Sequence, residues 1–273
     1  IAHSFSTVSI GGFSTHDQSI GYFNNSLIES VAIFFMLASG INFTLHFLSF
    51  RNLNIKPYLN DAELHAYLKI LIAICIVCTG YNAIAGNYEN LSEVFRDSIF
   101  QTVSIATTTG FTTANFQNWP GFIPLLLIFS CFIGACAGST CGGIKVIRIL
   151  LLFKQGIREI KRLIHPNAIF TIKIGDKPIS ERIIEAVWGF LAVYVIIFAI
   201  LLLVLMATDI DFLTAFSALS ACINNLGPGL GEVSQNYYGI NEIAKWILCL
   251  AMLLGRLEIF TLLVLLTPAF WRR

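Results

Sequence analysis

The sequence predicts an all-α integral membrane protein assembled from repeated units, each a membrane helix, a re-entrant loop and a second membrane helix. Three observations carry this. Five apolar runs, at 31–50, 68–85, 122–153, 184–206 and 243–270, are long enough for a bilayer crossing, which takes roughly 20 apolar residues. Three short glycine-bearing polar segments adjoin those runs: 9–16 (SIGGFSTH), 104–114 (SIATTTGFTTA) and 222–231 (CINNLGPGLG). The connectors between runs alternate in charge.

Composition supports the class. Charged residues make up 12% of the 273, against about 25% in soluble domains, and mean hydropathy is +0.76. Formal net charge is only +1, so the distribution says more than the total. Nine Lys and Arg fall between Lys145 and Arg182, Arg51, Lys56 and Lys69 lie in another connector, and Arg272 and Arg273 end the chain. The positive-inside rule assigns these stretches to the cytoplasm. The opposite connectors carry Glu89, Glu93 and Asp97 against Arg96, then Asp209, Asp211, Glu232 and Glu242 against Lys245, and belong outside. The alternation works only if each glycine segment returns to the side it came from.

Taken in order, the first unit retains its glycine segment and the helix at 31–50, within 1–50. Because a re-entrant loop needs a preceding membrane helix to hold it at depth, the expectation is that sequence precedes residue 1. A cytoplasmic linker, 51–67, leads to a complete unit at 68–153: helix 68–85, a short amphipathic helix at 91–103, the polar segment, and a second helix after Trp119 and Pro120. A basic cytoplasmic linker follows at 154–182. The last unit, 183–273, has helices at 184–206, 212–222 and 243–270 around its own glycine segment. Aligning Gly12, Gly110 and Gly227 gives spacings of 98 and 117 residues, a repeat of the kind common in transporters.

The polar segments suit a monovalent cation. Non-helical backbone is tolerated at membrane depth only against protein or a water-filled cavity. Glycine exposes carbonyl oxygens without a Cβ penalty, and rings of carbonyls can replace the hydration shell of a potassium-sized ion. Thr107, Thr108, Thr109, Thr112 and Thr113 add hydroxyls that brace the loop or reach the ion. No carboxylate lies inside the three segments, which argues against a divalent site; Asp17 and Glu232 lie just beyond and would concentrate cations at the outer mouth. The competing reading is three ordinary polar turns.

Inside the third run, 134–143 reads GACAGSTCGG, a composition too poor in helix formers for a uniform helix. Two readings stand: close packing of small residues against a neighbour, or an unwound, mobile segment beneath the loops. The second is preferred, with Lys145 marking its cytoplasmic end. Arg256 and Glu258 interrupt the last run. A charge at that depth faces a cavity or a partner, so Arg256 either hydrogen-bonds the carbonyls of 134–143 or snorkels to the interface. Residues two apart do not face each other on a helix, which disfavours an Arg256–Glu258 pair. Cys75 and Cys78 form a CxxC inside an apolar run and read as small membrane-helix side chains. An enzyme reading finds no support: His3, His16, His46, His65 and His165 are scattered, with no HExxH, GxSxG or GxxxxGK[ST] run.

SFSTVSIGGFSTHD, SIATTTGFTTANFQNWP, GACAGSTCGGIKV, INNLGPGLG and GRLEIFTLLVLL together resemble the Trk/Ktr/HKT superfamily of cation transporters, across the whole chain. The resemblance implies four such repeats around a pseudo-fourfold central pore, of which this chain is the C-terminal part. Gly12, Gly110 and Gly227 would be the filter glycines of repeats two, three and four. Bound K+ would meet Ile10, Gly11 and Gly12, Thr108, Thr109 and Gly110, and Asn225, Leu226 and Gly227. The gate would be 134–143, with Gly134, Ala137, Gly138, Ser139, Thr140, Gly142, Gly143 and Lys145, contacted by Arg256. It also implies K+ as the transported ion, no organic cofactor, a homodimer of pore subunits in the bacterial cytoplasmic membrane, and a cytoplasmic nucleotide-binding regulatory subunit of the TrkA type, with no nucleic-acid partner. A sodium-coupled or sodium-permeable Ktr/HKT-type transporter is the alternative.

Overall fold

Asn and Asp side chains cap the starts of several of the helices. In this computed structural model, which describes residues 1–86, 88, 90–175, 177–257 and 259–272 (the side chains of Leu266 and Ala269 excepted), α1 (Ala2–Val8) precedes α2 (Ser26–Ser39), whose Asn25 cap accepts the Leu27 N–H at 2.9 Å. Next come α3 (Phe43–Asn52), α4 (Lys56–Leu59) and α5 (Ala62–Ala85). Asp61 caps α5 at 2.7 Å and Gly86, left-handed, stops it. Then α6 (Leu91–Ala106), α7 (Ile123–Ile133) and α8 (Val146–Ile164) lead to a ribbon of two-residue strands, β1 (Lys173–Ile174) and β2 (Lys177–Pro178). The last part is α9 (Glu181–Met206), α10 (Phe212–Ile223), α11 (Glu242–Arg256), α12 (Ile259–Leu266) and α13 (Pro268–Trp271). Asp211 caps α10, and hydrogen bonds from the Thr214 side chain and backbone hold its carboxyl below the usual carboxylate range. The readings that involve Glu89, Glu258 and Arg273 lie outside the described residues.

Among the described residues, α5 and α9 are the two unbroken helices long and apolar enough to cross a membrane. Ile72, Ile76 and Ile84 on α5, and Ile196, Ile200 and Leu203 on α9, remain exposed, as expected of side chains whose solvent is lipid. The other three apolar runs are not continuous helices: this corrects the expectation for 31–50 and 243–270, whereas in 122–153 the helix breaks at the 134–143 segment expected to be unwound. The first bends by 95° between α2 and α3. There the Gly40 carbonyl accepts the Cys136 N–H at 3.0 Å and Phe43 N–H donates to the Gly138 carbonyl at 3.1 Å, so docking of a distant segment takes over from the helix ladder. The second opens at Gly134 (φ 66°, ψ −146°), a conformation that L side chains avoid. It closes again through Ile144 N–H to the Phe132 carbonyl and Val146 N–H to the Ala135 carbonyl, at 2.9 and 3.1 Å. The third divides between α11 and α12, whose axes meet at 106°.

The helix α6 is set among these spans by polar bonds. Asn82 on α5 donates to Ser98 at 3.1 Å. Glu29 on α2, 1% exposed, pairs with Arg96 at 2.8 Å, and Arg96 also donates to Asn24 at 2.7 Å. Residues Phe100 to Ala106 are all buried. The expected amphipathic helix at 91–103 therefore runs three residues further, and its C-terminus lies inside the protein.

Candidate functional site

Each of α1, α6 and α10 ends four residues before a glycine of the aligned set, and each ends in the same cap. Ile10, Thr108 and Asn225 donate to Thr7, Ile105 and Cys222 carbonyls at 3.2, 3.0 and 3.0 Å, and Gly11, Thr109 and Leu226 donate to Ser6, Ser104 and Ala221 carbonyls, each at 2.8 Å. This is the Schellman arrangement, which normally places Gly in the left-handed position. Here that position holds Ile10, Thr108 and Asn225, at φ 53°, 61° and 56°. A β-branched residue at positive φ is costly, and such strain concentrates at functional sites. The aligned glycines follow two residues later at φ 66°, 84° and 102°.

The three segments abut one another by backbone. A Cβ on Gly12 would collide with the Thr109 carbonyl oxygen, and a Cβ on Gly110 would collide with the Leu226 carbonyl oxygen. Thr109 and Leu226 occupy the same place in their segments, one residue before the glycine, so one packing step is used twice. A Cβ on Gly227 would meet no atom within 4 Å. All three glycines line one cavity of about 560 Å³, with Gly11, Leu226, Asp17 and Thr112 also in its wall. Of the nine positions expected to face an ion, Gly11, Gly12, Gly110, Leu226 and Gly227 line this cavity. Ile10, Thr108, Thr109 and Asn225 do not: Ile10 is buried in an apolar cluster with Tyr67, Thr109 shares a 2.8 Å hydroxyl contact with Thr107, and the Asn225 amide donates to the Met252 carbonyl at 3.4 Å. Asp17 lines the cavity wall, whereas Glu232 lies exposed on the 3-10 turn Gly231–Val233.

The segment 134–143 is non-helical and lies directly against the three caps. The Thr140 hydroxyl donates to the Val8 carbonyl at 3.1 Å, and Gly142 N–H donates to the Thr108 hydroxyl at 2.8 Å. A Cβ on Gly142 would strike the Asn224 carbonyl oxygen. One segment thus reaches the end of all three short helices. Arg256 donates to the Thr140 carbonyl at 3.1 Å, which selects the hydrogen-bonded of its two readings, and the Lys145 ammonium donates to the Cys141 carbonyl. All seven cysteines are free thiols, and Cys75 and Cys78 lie within α5.

Several contributors carried no sequence signal. The Tyr237 hydroxyl donates to the Gly227 carbonyl at 2.6 Å from a polar connector. Ser104 donates to the Phe111 carbonyl at 2.7 Å, and Tyr194 donates to Asn224 at 3.1 Å. Glu63, in the first turn of α5, accepts one N–H from the 134–143 segment and one from the first turn of α8; from sequence it falls in the linker expected at 51–67.

Three helix ends gathered against one unwound segment, beside helices long and apolar enough to cross a bilayer, define an all-α multi-helix membrane protein. The family model described as TrkH, cation transport protein, matches residues 1–273, and the chain belongs to that family. It is 53% identical to the Trk system potassium uptake protein TrkH of Vibrio parahaemolyticus and 50% identical to that of Escherichia coli K12, in each case over all of this chain and 56% of the relative. The crystal structure of the potassium transporter TrkH from Vibrio parahaemolyticus superposes with a TM-score of 0.95 at 52% identity, covering 100% of this chain and 58% of that one. The chain therefore spans a little over half the length of the curated relatives it matches.

Proposed function

We propose that the whole protein moves K+ across the bacterial cytoplasmic membrane, through a filter to which Gly12, Gly110 and Gly227 contribute repeats two, three and four. The observation that carries the reading is the packing step between neighbouring segments, made once by Gly12 against Thr109 and again by Gly110 against Leu226. The same step made between successive segments suits a ring, and the reading adds a further repeat to complete a pseudo-fourfold pore.

The chemistry follows from the caps. The C-termini of α1, α6 and α10 bring the negative ends of three helix dipoles, about half a charge each, toward the cavity. Main-chain oxygens beyond them stand in for water around the ion. Beneath, 134–143 occupies the path and Arg256 holds it there, adding a positive charge on the cytoplasmic side. Conduction requires that segment to withdraw. The filters face outward, the basic linkers face the cytoplasm, and the basic stretch from Lys145 to Arg182 suits a regulatory subunit of the TrkA type on a homodimer of pore subunits. These are transport roles and need no covalent chemistry.

Full-length protein reconstituted in planar bilayers under opposed K+ and Na+ gradients tests the reading. A reversal potential that tracks the K+ gradient is expected. One that follows Na+ equally well overturns K+ selectivity and favours the sodium-permeable alternative.

A further inference from the structure

We infer that Glu63 is the residue that positions the 134–143 segment, holding one half of it still while the other half is left to move. The inference rests on reading that segment as the movable constriction. A single carboxylate oxygen of Glu63 accepts the Ala137 N–H at 2.6 Å and the Ile147 N–H at 3.2 Å. Ala137 lies inside the unwound segment, and Ile147 is the second residue of α8. The residue before α8, Lys145, provides no side-chain cap, so an N–H of the first turn of α8 is satisfied from another helix.

The physical demand is plain. Unwound backbone inside a protein has N–H groups without ladder partners, and leaving them unpaired is costly. A carboxylate is the strongest acceptor available for two such donors and sits well at the positive end of a helix. Glu63 is 8% exposed and belongs to the first turn of α5, an unbroken span whose start is fixed by Asp61. Two more bonds tie the same half of the segment to fixed structure, Cys136 N–H to the Gly40 carbonyl and Phe43 N–H to the Gly138 carbonyl. The other half is bonded instead to the caps and to Arg256, through Thr140 and Gly142. Glu63 grips both ends of the pivot, so the second half can swing without unwinding α8.

The test uses the full-length protein with Glu63→Ala, Glu63→Asp and Glu63→Gln. Single-channel open probability and the K+/Na+ permeability ratio are recorded in bilayers. Labelling of Cys136 and Cys141, 1% and 4% exposed here, by maleimide from the cytoplasmic side is followed by peptide mass spectrometry. Loss of a hydrogen bond to a charged group should raise basal open probability and labelling about tenfold in Glu63→Ala. Glu63→Asp, with its carboxylate drawn back by one methylene, should behave similarly. Glu63→Gln keeps an acceptor oxygen in place and should restore most of the wild-type behaviour, and the permeability ratio should stay constant throughout. Wild-type open probability and labelling in both Glu63→Ala and Glu63→Asp overturns the inference; if Glu63→Ala is not recovered from membranes, Glu63→Asp decides alone. A wild-type protein that conducts no cation overturns the proposed function instead, while the labelling comparison still reads the position of the segment.

Discussion

Around Gly110 the chain is buried and stitched on both sides, whereas around Gly227 it borders open space and its carbonyl hangs from one tyrosine. Thr107, Thr108 and Thr109 are each 0% exposed. The Thr107 hydroxyl donates to Val103 at 2.7 Å and meets Thr109, and Ser104 fixes Phe111 from behind. At Gly227 the support is Tyr237, reaching in from the connector between α10 and α11. Yet the caps that lead into the two glycines share their hydrogen bonds and their left-handed residue. The backbone path is what the repeats have in common, and each repeat supplies its own means of holding it.

Five substitutions press on that comparison. The largest effect is expected from Gly110→Ala, which drives a methyl group into the Leu226 carbonyl as well as straining a positive φ. K+ uptake by full-length protein in potassium-starved cells should fall about tenfold or more, or selectivity should collapse. Gly227→Ala carries the φ strain without the collision and should lose less. Equal losses would show that neighbour packing is not what distinguishes the two glycines. Next, Arg256→Ala removes a charged hydrogen bond to Thr140 and should raise basal open probability severalfold in single-channel records, with selectivity unchanged.

Tyr237→Phe deletes one neutral donor, worth about 1 kcal/mol, and should broaden K+/Na+ selectivity modestly, measured as a reversal-potential shift. Its counterpart, Ser104→Ala, leaves the buried Phe111 carbonyl without that donor. The surrounding packing should confine its effect to a lower melting temperature in detergent, with permeability nearly unchanged. A larger selectivity change from Ser104→Ala than from Tyr237→Phe would reverse the ranking of the two supports.

The glycine segments, their spacing and the break at 134–143 were legible because glycine, proline and small residues inside apolar runs leave few structural options. The contact between Arg256 and the segment was legible for a related reason, since a charge at that depth has few partners. The bends were not. The run at 31–50 is mostly apolar, its Gly40 and Asn42 are weak signals alone, and its break depends on hydrogen bonds with Cys136 and Gly138, nearly a hundred residues away. Nor were the caps: Ile10 and Thr108 occupy a position for which sequence rules look for glycine, so the shared turn is visible only in the backbone. Glu63 and Tyr237 each act through a single oxygen directed at main-chain groups, and a residue's identity says nothing about where that oxygen will point.

Thr108 belongs to two structures at once: its main chain forms the turn that leads into Gly110, and its hydroxyl receives Gly142. Whatever alters the one alters the energy of the other. In the proposed pathway, ion occupancy above and withdrawal of the segment below are then thermodynamically linked, and linkage is reciprocal. A permeant ion that settles better with Gly142 disengaged must itself favour the conducting state, by the same factor with which that state favours the ion.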